Sequence, residues 1–167
     1  VRSLPEGRRT RYVSPRGTGP GSDEDWPMSL GEAVLQARPG DRYWLLSGDY
    51  EGGYSLSASG TAADPIVYRA APGARARVLG GLFITGEHNW VWGLEVTDPD
   101  DSYDGDSIYA AARGTVLVNN VLHDEGFDTS LASWNKPDQI VYGNVVYHGH
   151  HNIYTQNTAD AGLRYFV

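Results

Sequence analysis

Trp90-Val91-Trp92-Gly93-Leu94-Glu95-Val96-Thr97-Asp98 decides the fold, because the chain repeats its pattern twice. Beneath it align Val116-Leu117-Val118-Asn119-Asn120-Val121-Leu122-His123-Asp124 and Ile140-Val141-Tyr142-Gly143-Asn144-Val145-Val146-Tyr147-His148, at offsets of 26 and 24 residues. Each row is a short apolar strand, a Gly or Asn, and a second alternating strand. A period near 25 residues marks a solenoid, in which stacked copies of one unit bury a shared core. Gly93, Asn119 and Gly143 fall where the backbone must turn left-handed, which Gly and Asn tolerate best. The expected fold is an all-β solenoid, a right-handed parallel β-helix with a short N-terminal cap helix.

The register makes further columns. Val91, Leu117 and Val141 point inward, as do Val96, Leu122 and Val146; Thr97, His123 and Tyr147 face the other way. Asn120 and Asn144 align as a stacked amide ladder requires. Phe83-Ile84, Ile108-Tyr109, Leu131-Ala132 and Ile153-Tyr154 form another set, and Trp44-Leu45-Leu46 and Ile66-Val67-Tyr68 carry the pattern upstream. A β-sandwich would need strands at shorter intervals with tight hairpins between them. The one Asp-Gly pair, Asp104-Gly105, lies inside a long acidic loop instead.

Residues 1–41 read as an N-terminal arm and cap, and 42–167 as the coils of one domain. Ser29-Leu30-Gly31-Glu32 is a capping box, Leu30, Ala33, Val34 and Ala37 share a helical face, and Pro39-Gly40 ends the helix. Arg11-Tyr12-Val13-Ser14 reads as an edge strand before it. Leu163 to Val167 opens a further coil with nothing after it to cover its face. A truncated β-helix of this kind is expected to self-associate end to end or to belong to a longer chain.

A net charge of −8 argues against a nucleic-acid or anionic-membrane binder, which needs a basic stripe. The absence of cysteine excludes disulfides, thiolate metal sites and cysteine nucleophiles. No apolar stretch is long enough for a membrane span.

Tyr12-Val13-Ser14-Pro15, Ala37-Arg38-Pro39-Gly40-Asp41 and Gly48-Asp49-Tyr50 resemble the start of pectate-lyase-like right-handed β-helix proteins. Trp90 to Val96 and His151-Asn152-Ile153-Tyr154-Thr155-Gln156-Asn157 resemble a bacterial branch of that superfamily. The resemblance implies the fold and a secreted, carbohydrate-active protein with an acidic polysaccharide as partner. A polysaccharide lyase or epimerase acting on uronate-containing glycans is the leading expectation. A non-catalytic glycan-binding or structural solenoid is the alternative, because fold does not settle function. In the lyases that the chain resembles, calcium bridges the protein to a uronate carboxylate.

Candidate chemistry gathers at two corners. Asp98, Asp100, Asp101, Asp104 and Asp106 occupy one loop; Asp124, Glu125 and Asp128 occupy its counterpart one coil later; His148, His150 and His151 follow in the next. Clustered carboxylates suit Ca²⁺, so Asp98, Asp101, Asp106, Asp124 and Glu125 are the metal candidates. Asp-rich turns are equally the ordinary solvated corners of a solenoid. His148 and His151 are base candidates, and His123 and Tyr147 are substrate-contact candidates. His150 and His151 are expected to point apart on a strand. At the other corner His88, Arg113 and Lys136 form a column on successive coils. Elimination from a uronate needs a base and positive charge against the enolate-like intermediate, which Arg113 and Lys136 could supply while Trp134 stacks on a sugar ring. The plain reading of each is a solvent-facing turn residue. The two columns are expected on different edges, not in one site.

Overall fold

A computed structural model describes residues 7–98, 106–124, 129–134, 136–156 and 164–166. Strand β1 (Arg9–Val13) and helix α1 (Leu30–Gln36) come first. Three strands then make each coil. The first two coils are β2 (Asp41–Leu45), β3 (Gly48–Glu51), β4 (Tyr54–Leu56), and β5 (Ile66–Ala70), β6 (Ala76–Leu79), β7 (Leu82–Ile84). The third is β8 (Asn89–Trp92), β9 (Glu95–Thr97), β10 (Ile108–Ala110), and the fourth β11 (Val116–Val118), β12 (Val121–His123), β13 (Thr129–Trp134). The fifth is β14 (Ile140–Tyr142), β15 (Val145–Tyr147), β16 (His151–Gln156), and β17 (Arg164–Phe166) follows.

Like strands stack on like. Sheet A runs β1-β2-β5-β8-β11-β14-β17, sheet B β3-β6-β9-β12-β15, and sheet C β4-β7-β10-β13-β16. Every pairing among these strands is parallel, which makes a right-handed parallel β-helix. Val91, Leu117 and Val141 pair in one inward column and Val96, Leu122 and Val146 in another, as the repeat requires. Each fully buried Val or Leu there contributes roughly 1.5–3 kcal/mol.

Sheets A and B meet at the corner that the repeat exposed. Gly93, Asn119 and Gly143 have φ of 69°, 51° and 64°, the left-handed backbone expected of them. Asn120 is fully buried beside them and is wired to both neighbouring coils. Its Oδ1 accepts from the Leu94 amide at 3.0 Å, and its Nδ2 donates to the Val91 carbonyl at 3.0 Å and to Asn144 Oδ1 at 2.9 Å. Asn144 repeats the motif by donating to the Leu117 carbonyl at 3.0 Å. Backbone groups stranded at a buried corner are thereby satisfied.

At the N-terminal end the Ser29 hydroxyl accepts from the Glu32 amide at 3.1 Å, one half of the capping box. Leu30 and Ala33 turn into the core, and α1 packs on β4. The arm is less separate than the sequence suggests. β1 pairs in register with β2 and so extends sheet A, starting two residues before the expected edge strand.

One column needs correcting. Ile108 pairs with Leu82 and Tyr109 with Phe83, so the set on sheet C begins at Leu82-Phe83 rather than Phe83-Ile84. A one-residue slip exchanges inner and outer faces. Leu82 and Ile84 are buried, and Phe83 faces outward.

Candidate functional site

Correct register on sheet C reveals an aromatic ladder. Phe83, Tyr109, Trp134 and Tyr154 come from four successive coils, with ring centroids 6.3, 5.9 and 5.6 Å apart. Trp134 joins because β13 runs six residues and its outward positions are Ser130, Ala132 and Trp134. Its ring leans between Tyr109 and Tyr154 while small Ala132 sits in register with both. The indole Nε1 has no hydrogen-bond partner among the described residues. Tilted rings at this spacing make an amphipathic strip along the solenoid axis.

The corner between sheets B and C brings four of the sequence candidates together. Asp124 and His148 both adopt left-handed backbone, with φ of 54° and 56°. Asp124 Oδ2 lies 2.8 Å from His123 Nδ1 and its Oδ1 lies 3.2 Å from His148 Nδ1. His123 Nε2 reaches Glu95 Oε1 at 3.2 Å, and Arg75 grips Glu95 through two bonds of 2.6 and 2.8 Å. Tyr147 lies flat on His123 at 5.0 Å and meets His148 edge-on. The result is a chain Arg75–Glu95–His123–Asp124–His148 climbing four coils. The His123 side chain is 13 % exposed and that of His148 75 %, so the chain runs from a covered ring to an open one. Arg75, then His123, hold the Glu95 carboxyl below its ordinary range. His123, then His148, do the same to Asp124.

His151 opens β16 opposite Thr129, exposed. His150 and His151 do not point apart. Their rings meet edge-to-face at 4.4 Å, because residue 150 belongs to the turn and only 151 to the strand.

Three of the five calcium candidates lie among the described residues. Asp124 spends both oxygens on imidazoles, and Asp98 is nearly buried beside Gly81. Asp106 lies at the foot of β10, and Asp101 and Glu125 fall outside the described residues, as do Asp100, Asp104 and Asp128. Among the described residues no three acidic or imidazole side chains are grouped as a metal would need. Asp98, Asp106 and Asp124 are the calcium candidates among the described residues.

The corner between sheets C and A differs in detail from the expected column. The His88 amide donates to the Arg113 carbonyl and the Gly114 amide to the Pro137 carbonyl, so the stack is His88–Gly114–Asp138. Arg113 points outward and places Nε and Nη2 3.1 Å from Asp138 Oδ2. Lys136 is exposed and makes no ion pair among the described residues. Six residues of β13 separate this corner from the histidine corner, roughly 20 Å at strand rise. The two sets border opposite edges of sheet C and do not form one site.

Sequence reasoning missed Glu95, Arg75, Phe83, Tyr109 and Tyr154 as site residues. Glu95 was legible, since it stands in the deciding repeat at an outward position. The register slip hid the pairing of Phe83 with Tyr109.

No protein-family model and no curated protein matches the chain. Two solved structures share its fold. Pectate lyase Pel9A superposes with a TM-score of 0.67 at 18 % identity, over 86 % of this chain and 49 % of that one. A rhamnogalacturonan lyase superposes with a TM-score of 0.53 at 13 % identity, over 81 % of this chain and 51 % of that one. The chain thus spans about half the length of each. The fold is a pectate-lyase-like parallel β-helix.

Proposed function

We propose that the chain is the glycan-contacting part of a secreted, carbohydrate-active β-helix that holds an acidic polysaccharide lengthwise on sheet C. The observation that carries this reading is the ladder Phe83–Tyr109–Trp134–Tyr154. Pyranose rings stack their CH faces on aromatic rings, and a strip of four suits a polymer better than a single sugar. Lys136, two residues past Trp134, is the cation for a uronate carboxylate at the strip's edge. That both structures sharing the fold carry the names of polysaccharide lyases supports the same substrate class.

Lyase and epimerase chemistry begin alike, with removal of the proton beside the uronate carboxylate. His148 is the base we assign. Asp124 holds its Nδ1, which leaves Nε2 to the open side. His151, on the same edge, is the group to stabilise the developing charge. A non-catalytic glycan-binding solenoid is the second reading. It draws support from Arg113, whose charge Asp138 already engages, and from the gap between Lys136 and His148.

Retention on immobilised acidic polysaccharides, together with ultraviolet absorbance of unsaturated uronate products with and without calcium, separates the two. Trp134→Ala should weaken retention about tenfold, the loss of one aromatic anchor. Retention unchanged in that variant would refute the strip. Retention without unsaturated product would leave the binding reading.

A further inference from the structure

The outside of sheet A carries a second apolar cluster. Val67, Trp90 and Val116 are buried there although they face away from the core, with Trp92, Val118 and Ile140 packed against them. At the C–A corner this cluster floors a groove of about 260 Å³, with His88, Trp90, Gly114, Val116, Asp138 and Ile140 in its lining. That is below the roughly 300–1,000 Å³ of sites for drug-sized ligands, and suits a single ring.

Its polar rim is held by unusual backbone. His88 and Asp138 have φ of 54° and 63°, and Gly114 stands between them at 68°. Such non-glycine residues persist only where surrounding structure enforces them. Gly114 contributes no side chain, and the His88 ring lies over it so closely that a methyl there would overlap Nδ1. Both Arg113 bonds go to Oδ2 of Asp138, which leaves Oδ1 to the groove side of the pair.

We propose that this groove is a subsite for one neutral sugar ring, seated on Trp90, Val116 and Ile140, with hydroxyls bonded to Asp138 Oδ1 and His88. A sugar ring has the matching form, an apolar CH face with a hydroxyl rim. The carboxylate accepts from hydroxyls and opposes a second carboxylate, which selects against a uronate. Trp134 and Asp138 lie four positions apart across the Lys136-Pro137 turn, so the strip on sheet C passes beside the groove at its Trp134 rung. Resting on the reading above, the ring is a neutral branch of the acidic glycan, turned around the corner.

The test is a ¹⁵N chemical-shift titration of the full chain with methyl glycosides of galactose, arabinose and glucose, and methyl galacturonoside as the acidic probe. At least one neutral glycoside should move the Gly114, Val116 and Ile140 amides with a saturable millimolar curve. Asp138→Gly keeps the backbone freedom and should weaken that binding about tenfold, the scale of one charged hydrogen bond. Asp138→Asn, which also tolerates positive φ, carries the test if the glycine variant misfolds. Trp134→Ala should leave these shifts in place while losing polysaccharide retention. No shift with any neutral probe, an equal response to the galacturonoside, or indifference to both Asp138 variants would overturn the subsite. Groove binding in a chain that retains no acidic polysaccharide would sink only the reading of sheet C, and retention without groove binding only the subsite.

Discussion

The A–B and B–C corners both stack coil upon coil through left-handed residues, yet one is wired with amides and the other with ions. At the A–B corner Gly93, Asn119 and Gly143 make the turn and Asn120 and Asn144 bond within the wall. At the B–C corner Asp124 and His148 make the turn and their side chains bond outside it. Connection length accounts for the difference. Two residues span every A–B corner from 93 to 144, so equivalent amides fall in register on each coil. The B–C connections run over 98–107, 124–128 and 148–150, and Asp124 and His148, each next to a strand end, keep one another as neighbours. A constant corner is free to specialise in stability, and a variable one leaves its side chains to the outside.

The largest effect should come from the buried ladder. Asn120→Ala strands the Leu94 amide and the Val91 carbonyl, at a cost of about 2–4 kcal/mol in urea unfolding. A loss no larger than that of an outer-chain variant would erase the contrast.

Next in size are the turn glycines. Gly93→Ala should cost about 1–2 kcal/mol from the left-handed backbone alone, since its nearest neighbour is 3.8 Å away. Gly143→Ala should cost more, because the methyl overlaps Asn119 Oδ1. Thermal melts that reverse this order would break the account of that corner.

Smaller again is the outer chain. Glu95→Gln should cost under about 1 kcal/mol, as for a partly exposed ion pair. Its pH dependence has a definite sign. Glu95 and Asp124 are held below their unfolded values, so their contribution is present above about pH 4 and is lost as pH falls through the folded values. Melting temperature should fall more steeply with acid in the native chain than in Glu95→Gln. Parallel curves would show the chain to be energetically idle.

The smallest effect on stability belongs to His148→Asn, which keeps a residue suited to its φ of 56°. Melting should be unchanged while any elimination activity falls sharply. A large melting loss would make His148 a structural member of its corner.

Much of this architecture is written along the chain. Gly93, Asn119 and Gly143 announced their conformation by residue type, and Val91, Leu117 and Val141 their direction by alternation. The candidate site was legible only in pieces. His123, Asp124, Tyr147 and His148 appear in the repeat, but nothing in one row tells which ring touches which carboxylate. Trp134 was visible as a lone aromatic and not as one rung of four.

The sequence by itself determined the coil, its A–B corner and its inward columns, because each follows from a period that neighbouring residues share. Tertiary structure alone decided the aromatic strip, the Arg75–Glu95–His123–Asp124–His148 chain and the His88–Gly114–Asp138 stack. Apart from adjacent His123 and Asp124, their members stand on successive coils, 20 or more residues apart, joined by loops of unequal length. A single residue of slip, as at Phe83, sends a side chain to the opposite face, so these contacts exist only once the strands have paired.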